Sequence, residues 1–221
     1  MANQILRRYQ ERLRASLAQR NSEVLEFSTD LSRFLRTHTR RILRGIERGE
    51  LNAEQAAAAI GGLNRDLRIA GLDDLLNSQS QIFFNEIDRS LENFLSKPKN
   101  KSNQLPDTDL YILEQLIYFN AEASSAVVEQ NIASIKPLIM QQVIGNMPIN
   151  LDEITEELGE STAIQFRTEI NTTLSAFNRT VTAARAADSG IELFLYFGPD
   201  DNKTRDFCEK CVDKVFTMKD L

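Results

Sequence analysis

Between Ala163 and Ala184 the apolar residues recur at steps of three and four: Ala163, Phe166, Ile170, Leu174, Phe177, Val181 and Ala184. At about 100° per residue these positions form one stripe along a helix. Gln165, Arg167, Glu169, Thr172 and Arg179 take the polar side. A long helix with a single apolar stripe must bury that stripe against another element, so the spacing commits this part of the chain to helix-on-helix packing. Gly190 is its expected stop.

The same period recurs along most of the chain. From Asn21 to Gly49 it places Leu31, Leu35, His38, Ile42 and Ile46 on one face, and Arg33, Arg36, Arg40, Arg44 and Arg48 on the opposite one. Thr29 or Asp30 is the expected cap and Gly49 the expected end. Asn52 followed by Gln55 reads as a capping box opening a further helix. The alanines of that helix and Gly61-Gly62 leave room for another helix to approach closely. A helix over Leu72–Leu95 follows, with Leu75, Leu76, Ile82, Phe83, Ile87, Leu91 and Phe94 as its apolar positions.

The stretch KPKNKSNQLPD breaks the pattern with two prolines, three lysines and no apolar cluster, as a linker or exposed loop does. Helical spacing returns with Leu113, Leu116, Ile117, Phe119, Val127, Val128, Ile132 and Ile135. Pro137 is costly inside a helix, so Ser134 is expected to cap a new short helix through Ile144. Gly145-Asn146-Met147-Pro148 reads as a turn before the next helix, which begins after Asn150.

Only at IELFLYFG does the pattern change, to a short aromatic-rich strand bounded by Gly190 and Gly198-Pro199. Asp200 or Asp201 then caps a short helix through Cys211, and VDKVFTM supplies a turn and a second strand. The chain is therefore expected to be mainly α, an elongated helical protein with a small α+β (strand–helix–strand) module at its C-terminal end. Its regions are a helical region with a basic helix over 1–96, a linker or exposed loop over 97–107, a helical region over 108–190 and the small module over 191–221.

Charge is uneven. Residues 1–50 hold eleven arginines against six acids, a balance of +5, while the whole chain carries −6. The remainder therefore carries −11. The basic end suits an acidic surface or nucleic acid, or is simply a solvated face. Five guanidiniums on one helical face can grip phosphates or a negatively charged protein wall. No aromatics interleave with them, so base stacking is not supported, and DNA contact would be sequence-independent and salt-sensitive.

No apolar run approaches the length needed to span a bilayer, and MANQILRRYQERLRASLAQR lacks the apolar core of a secretory signal. Two cysteines do not suggest a disulfide scaffold. Cys208 and Cys211 stand in C-E-K-C spacing, but no second pair accompanies them, and the single histidine, His38, sits on an apolar helical face. A complete four-ligand zinc site within the chain is therefore unavailable; zinc would need a partner chain or further residues. Redox catalysis is disfavoured by Glu209, whose charge raises a neighbouring thiol pKa. Two small thiols packing a minor core are the simplest alternative. Asp200, Asp201, Asp206 and Glu209 do not match a calcium loop, and capping with ion pairs to Arg205 or Lys203 accounts for them. There is no P-loop, no dinucleotide fingerprint and no nucleophile–His arrangement. Nothing here argues for an enzyme.

The C-terminal order of features is more specific. Tyr196, Gly198, Pro199, Asp201, Thr204, Arg205, Phe207 and Cys208, followed by Val215, Phe216 and Thr217, make a pattern Y-x-G-P-x-D-x-x-T-R-x-F-C then V-F-T. This pattern resembles that of the phage minor head proteins, the head-morphogenesis family, with Asp213 standing where Gly is usual. The resemblance implies a minor virion component at the portal or inside the head, made in the host cytoplasm. It also implies a multi-copy symmetric assembly that aids packaging or delivery of DNA. Its partners would be portal or other head proteins, with non-specific contact to packaged DNA and no membrane. An internal or ejected virion protein is a neighbouring alternative. A cytoplasmic helical adaptor with a zinc- or redox-responsive cysteine pair is one of a different class.

Overall fold

The computed structural model describes residues 2–92, 107–188, 193–195 and 215–217. The described chain is mainly helical. It runs α1 (Ala2–Glu47), α2 (Ala53–Ile69), α3 (Leu72–Ser78), α4 (Ser80–Glu92), α5 (Asp107–Ile144) and α6 (Leu151–Asp188). Two strands follow, β1 (Leu193–Leu195) and β2 (Val215–Thr217). The strands pair antiparallel, Leu193 with Thr217, Phe194 with Phe216 and Leu195 with Val215. The short helix expected between them, the linker core and Gly190 lie outside the described residues.

α1 has 46 residues and, at 1.5 Å per residue, is roughly 69 Å long. The expected start at Thr29 or Asp30 is not observed. Val24, Phe27, Leu31 and Leu35 form one continuous buried stripe across that point, and its packing carries the helix through. Thr29 Oγ1 instead donates to the Leu25 carbonyl (2.8 Å), and Asp30 accepts from Arg33 (2.7 Å). The end is as expected. Gly49 adopts φ 66°, Glu50 N–H donates to the Gly45 carbonyl (2.9 Å), and Gly49 N–H donates to that of Ile46 (3.0 Å). This is a Schellman closure, in which glycine takes the left-handed position without a Cβ penalty.

Asn52 and Gln55 form the reciprocal capping box at the start of α2, at 2.9 and 3.0 Å. The expected Leu72–Leu95 helix divides into α3 and α4 at Gln79. Its buried side-chain oxygen accepts from Asn120 Nδ2 (3.1 Å) and Ser124 Oγ (2.9 Å) of α5.

α5 corrects a second boundary, because it continues through Pro137. Ile132, Ile135 and Ile139 are buried on both sides of the proline, so one packed stripe holds the helix across the missing hydrogen bond. Ser134 Oγ donates back to the Asn131 carbonyl rather than capping a new helix (2.7 Å). The turn at Gly145–Pro148 is a second Schellman closure. Here Asn146 takes the left-handed position (φ 49°), and Met147 N–H donates to the Gln142 carbonyl (2.9 Å). Phe119, expected on the packed face, is exposed beside Tyr118.

α6 lies antiparallel to α1. Phe27 stacks on Phe166 at 4.8 Å, while Arg36 meets Glu156 and Arg40 meets Asp152. α5 and α6 form an antiparallel hairpin in which Asn131 Nδ2 donates to Gln165 Oε1 (2.9 Å). α2 lies across α1 and α5, and α4 packs on α6, where Phe83 meets Phe177 edge-on at 5.5 Å. One continuous hydrophobic core includes Leu31 and Leu67 from before the linker and Ile132 and Phe166 from after it. The helical regions on the two sides of 97–107 therefore share a core.

Candidate functional site: a groove between α1 and α6

Close approach of these two helices depends on one glycine. A Cβ on Gly159 of α6 would sit 2.7 Å from Ser32 Oγ and 2.8 Å from Arg36 Cγ. Gly61 and Gly62, where close approach was expected, do not serve this purpose. A Cβ on Gly61 would meet nothing within 4 Å, and one on Gly62 would meet chiefly Arg65 of its own helix.

Alongside the Gly159 contact the helix surfaces diverge into a groove of about 790 Å³. Arg33, Arg36 and Arg40 of α1 and Arg167 of α6 supply its cations. Asp152 and Glu160 supply carboxylates, and Ala163 and Ile164 supply apolar surface. Five hydroxyl residues also line it: Ser28, Thr29, Ser32, Thr37 and Thr155. Ser28, Thr29 and Thr155 donate their protons to carbonyls of their own helices, so their hydroxyl oxygens remain as acceptors.

The five arginines of the expected stripe thus meet different fates. Arg36 Nη1 lies 3.2 Å from Glu156, and Arg40 pairs with Asp152, both across the helix seam. Arg33 is held by Asp30 on its own helix, and Arg48 is 3.7 Å from Glu50. Arg44 is exposed beyond the groove. Arg167, placed by its spacing on a polar helix face, is drawn into the groove. Its Nε donates to the Ala163 carbonyl (3.2 Å), and it makes no ion pair among the described residues.

His38 stacks on Phe34 at 4.2 Å, and its Nδ1 lies 3.0 Å from Arg41 Nη2. Desolvation first and the Arg41 charge second hold its pKa below the ordinary imidazole value. It is half-buried at the flank of the core rather than inside it.

A second polar cluster is enclosed where α1, α4 and α6 meet. Buried Glu86 accepts from Asn178 Nδ2 (2.6 Å) and Arg89 Nε (3.1 Å), with Arg20 at 3.8 Å. Arg89 also donates to Glu23 (2.7 Å). Two cations answer two anions here, and the hydrogen bonds fix how the three helices register. Its signal in the sequence is Glu86 standing three residues after Phe83, in step with the apolar stripe.

Tyr196, Gly198, Pro199, Asp201, Thr204, Arg205, Phe207, Cys208 and Cys211 lie outside the described residues. Among the described residues no group of three or more His, Cys, Asp or Glu side chains is arranged to hold a metal ion. No described helix is long and apolar enough to cross a membrane. The chain matches no protein-family model, no curated protein and no solved structure.

Proposed function

We propose that this chain is a non-enzymatic structural component of a phage virion, a minor head protein that docks by its helices near the portal and aids head assembly and DNA packaging or delivery. The observation that carries this reading is the pattern from Tyr196 to Cys208, followed by Val215–Thr217. The paired strands support it: β1 ends immediately before Tyr196 and β2 begins at Val215, so their antiparallel ladder brings the two ends of the motif together. In this reading residues 191–221 form a small α+β module, and Gly198-Pro199 and Asp201 set the turn and helix start within it. The long helices of the rest of the chain, with their exposed charged faces, are surfaces for neighbouring proteins. Engagement of Arg36 and Arg40 with α6 favours protein contact over DNA for that part of α1.

The test is removal of the protein from a phage that carries it, followed by counting DNA-filled heads and infectious particles. Loss of both, restored by the wild-type chain but not by one with Arg205→Ala and Phe207→Ala, is expected. Unchanged yields of filled, infectious particles would overturn the proposal.

A further inference from the structure

We propose that the outward face of α5 is a self-association surface, on which α5 of a second copy of this chain packs antiparallel. The inference goes beyond the virion reading and does not depend on it. α5 is apolar on both of its sides. Leu113, Val128, Ile132 and Ile139 enter the core, while Ile112, Phe119 and Ile144 are exposed, Ile144 at 77 %. A helix that is apolar all round is ordinarily covered all round. From Ile112 to Ile144 the outer residues recur in steps of three and four, so they form one stripe along the helix, roughly 48 Å long. No charged residue falls in this stripe, although 26 % of the chain is charged and the outer face of α6 carries Glu153, Glu157 and Glu160. Charge depletion with exposed apolar side chains marks the centre of a protein interface.

The order of side chains selects the occupant, because the stripe matches itself when reversed. A two-fold axis level with residue 128 sets Ile112 of one copy against Ile144 of the other, and Phe119 against Pro137. Gln115 then faces Gln141, two amides that can each donate and accept. Near the axis Ala123 faces Ala133 and Ala126 faces Gln130, and the alanines let the helices approach closely. Charge fixes the direction. Along one edge of the stripe Glu129 is already paired with Arg68, but Glu122 and Lys136 engage neutral groups: Glu122 accepts from the Tyr118 hydroxyl, and Lys136 Nζ donates to the Gly61 carbonyl (3.0 Å). The antiparallel pairing brings Glu122 of one copy within two residues of Lys136 of the other. A parallel pairing would set Glu122 on Glu122 and Lys136 on Lys136. At a width of about 10 Å the stripe offers roughly 500 Å² on each copy, or about 1,000 Å² in all. That is the lower limit for a specific interface, so the dimer is expected to exchange with monomer at micromolar concentrations.

The experiment is sedimentation velocity on the full chain over about 1–500 µM protein. The mass is expected to rise from the 25.1 kDa of one chain towards twice that value. Ala126→Glu, an exposed change that circular dichroism should show to leave the helices intact, is expected to raise the dimer dissociation constant at least about tenfold. Ala123→Glu and Ala133→Lys should each weaken the dimer in the same way. The two together in one chain place Glu opposite Lys twice across the two-fold, so the double variant should dimerise more tightly than either single one. A chain that stays at 25.1 kDa throughout would overturn the proposal and leave the face to a different protein. So would a dimer indifferent to Ala126→Glu, or a double variant no tighter than its parents. None of these results bears on particle yield, so a failure here is separable from a failure of the virion proposal.

Discussion

Replacing Gly159 with alanine should destabilise the protein, although alanine is the better helix former. The substitution gains about 1 kcal/mol in helix propensity. Against this, the new Cβ would lie 2.7 Å from Ser32 Oγ and 2.8 Å from Arg36 Cγ, with Arg36 Cδ at 3.1 Å. Heavy atoms at optimal contact stand about 3.5–4.0 Å apart, so the helices must separate by several tenths of an ångström or more. Ser32 Oγ can rotate away. Arg36 Cγ is the first carbon beyond Cβ and moves only with a change of χ1 rotamer or with α1 itself. Overpacking of this kind costs about 1–3 kcal/mol, leaving a net loss of up to about 2 kcal/mol. Urea denaturation of four chains decides the matter: wild type, Gly159→Ala, Ser32→Ala with Arg36→Ala, and the triple variant. In the truncated background the clash is gone, and Gly159→Ala should become neutral or stabilising, a coupling of at least about 1 kcal/mol. Gly61→Ala, where a Cβ meets nothing within 4 Å, is the control and should stabilise by about 0.5–1 kcal/mol. If Gly159→Ala stabilised the wild-type background as much as Gly61→Ala does, the close α1–α6 approach would be refuted.

Glu86→Leu should cost about 3–5 kcal/mol in chemical denaturation, because Arg89 and Arg20 lose a buried carboxylate, and adding Arg89→Met should recover part of that loss; a loss below 1 kcal/mol would contradict the enclosed cluster. Pro137→Ala should raise stability by about 2 kcal/mol, the helix-interior cost less the entropy that proline removes from the unfolded chain. A decrease would mean that α5 breaks at residue 137. For His38 the folded-state pKa is lowered, so the unfolded chain takes up a proton first as pH falls through the ordinary imidazole range. Stability is lost there and levels off once the folded-state imidazole is also protonated. Denaturation midpoints against pH should fall less steeply across that window in His38→Phe than in wild type, and identical slopes would refute the shift.

Much of the helical fold was legible because it depends on local period. The stripe from Ala163 to Val181 is buried as its spacing requires, and the capping box at Asn52 and the glycine stop at Gly49 need only neighbouring residues. The errors occurred where tertiary packing outweighed a local signal. Thr29, Asp30, Ser134 and Pro137 all announce helix boundaries in sequence, yet buried stripes run across each of them. The groove was half legible. The arginine stripe of α1 follows from spacing alone, but the carboxylate partners of Arg36 and Arg40, and Arg167 with them, sit more than a hundred residues away, and only the antiparallel register of α6 brings them together. Gly159 carried a signal that can be read in retrospect, being a lone glycine inside a strongly patterned helix. Gly61-Gly62 gave the same signal without the contact, so a glycine in a helix marks room for a neighbour and does not show that one is present.

The most direct measurement is quantitative mass spectrometry of purified particles that carry this protein, made on intact virions and on heads emptied of DNA. The structural proposal predicts recovery at a fixed multiple of the portal copy number, retained after the DNA has left. Loss together with the DNA would indicate an internal or ejected protein instead. Absence from the particles altogether would contradict the virion assignment.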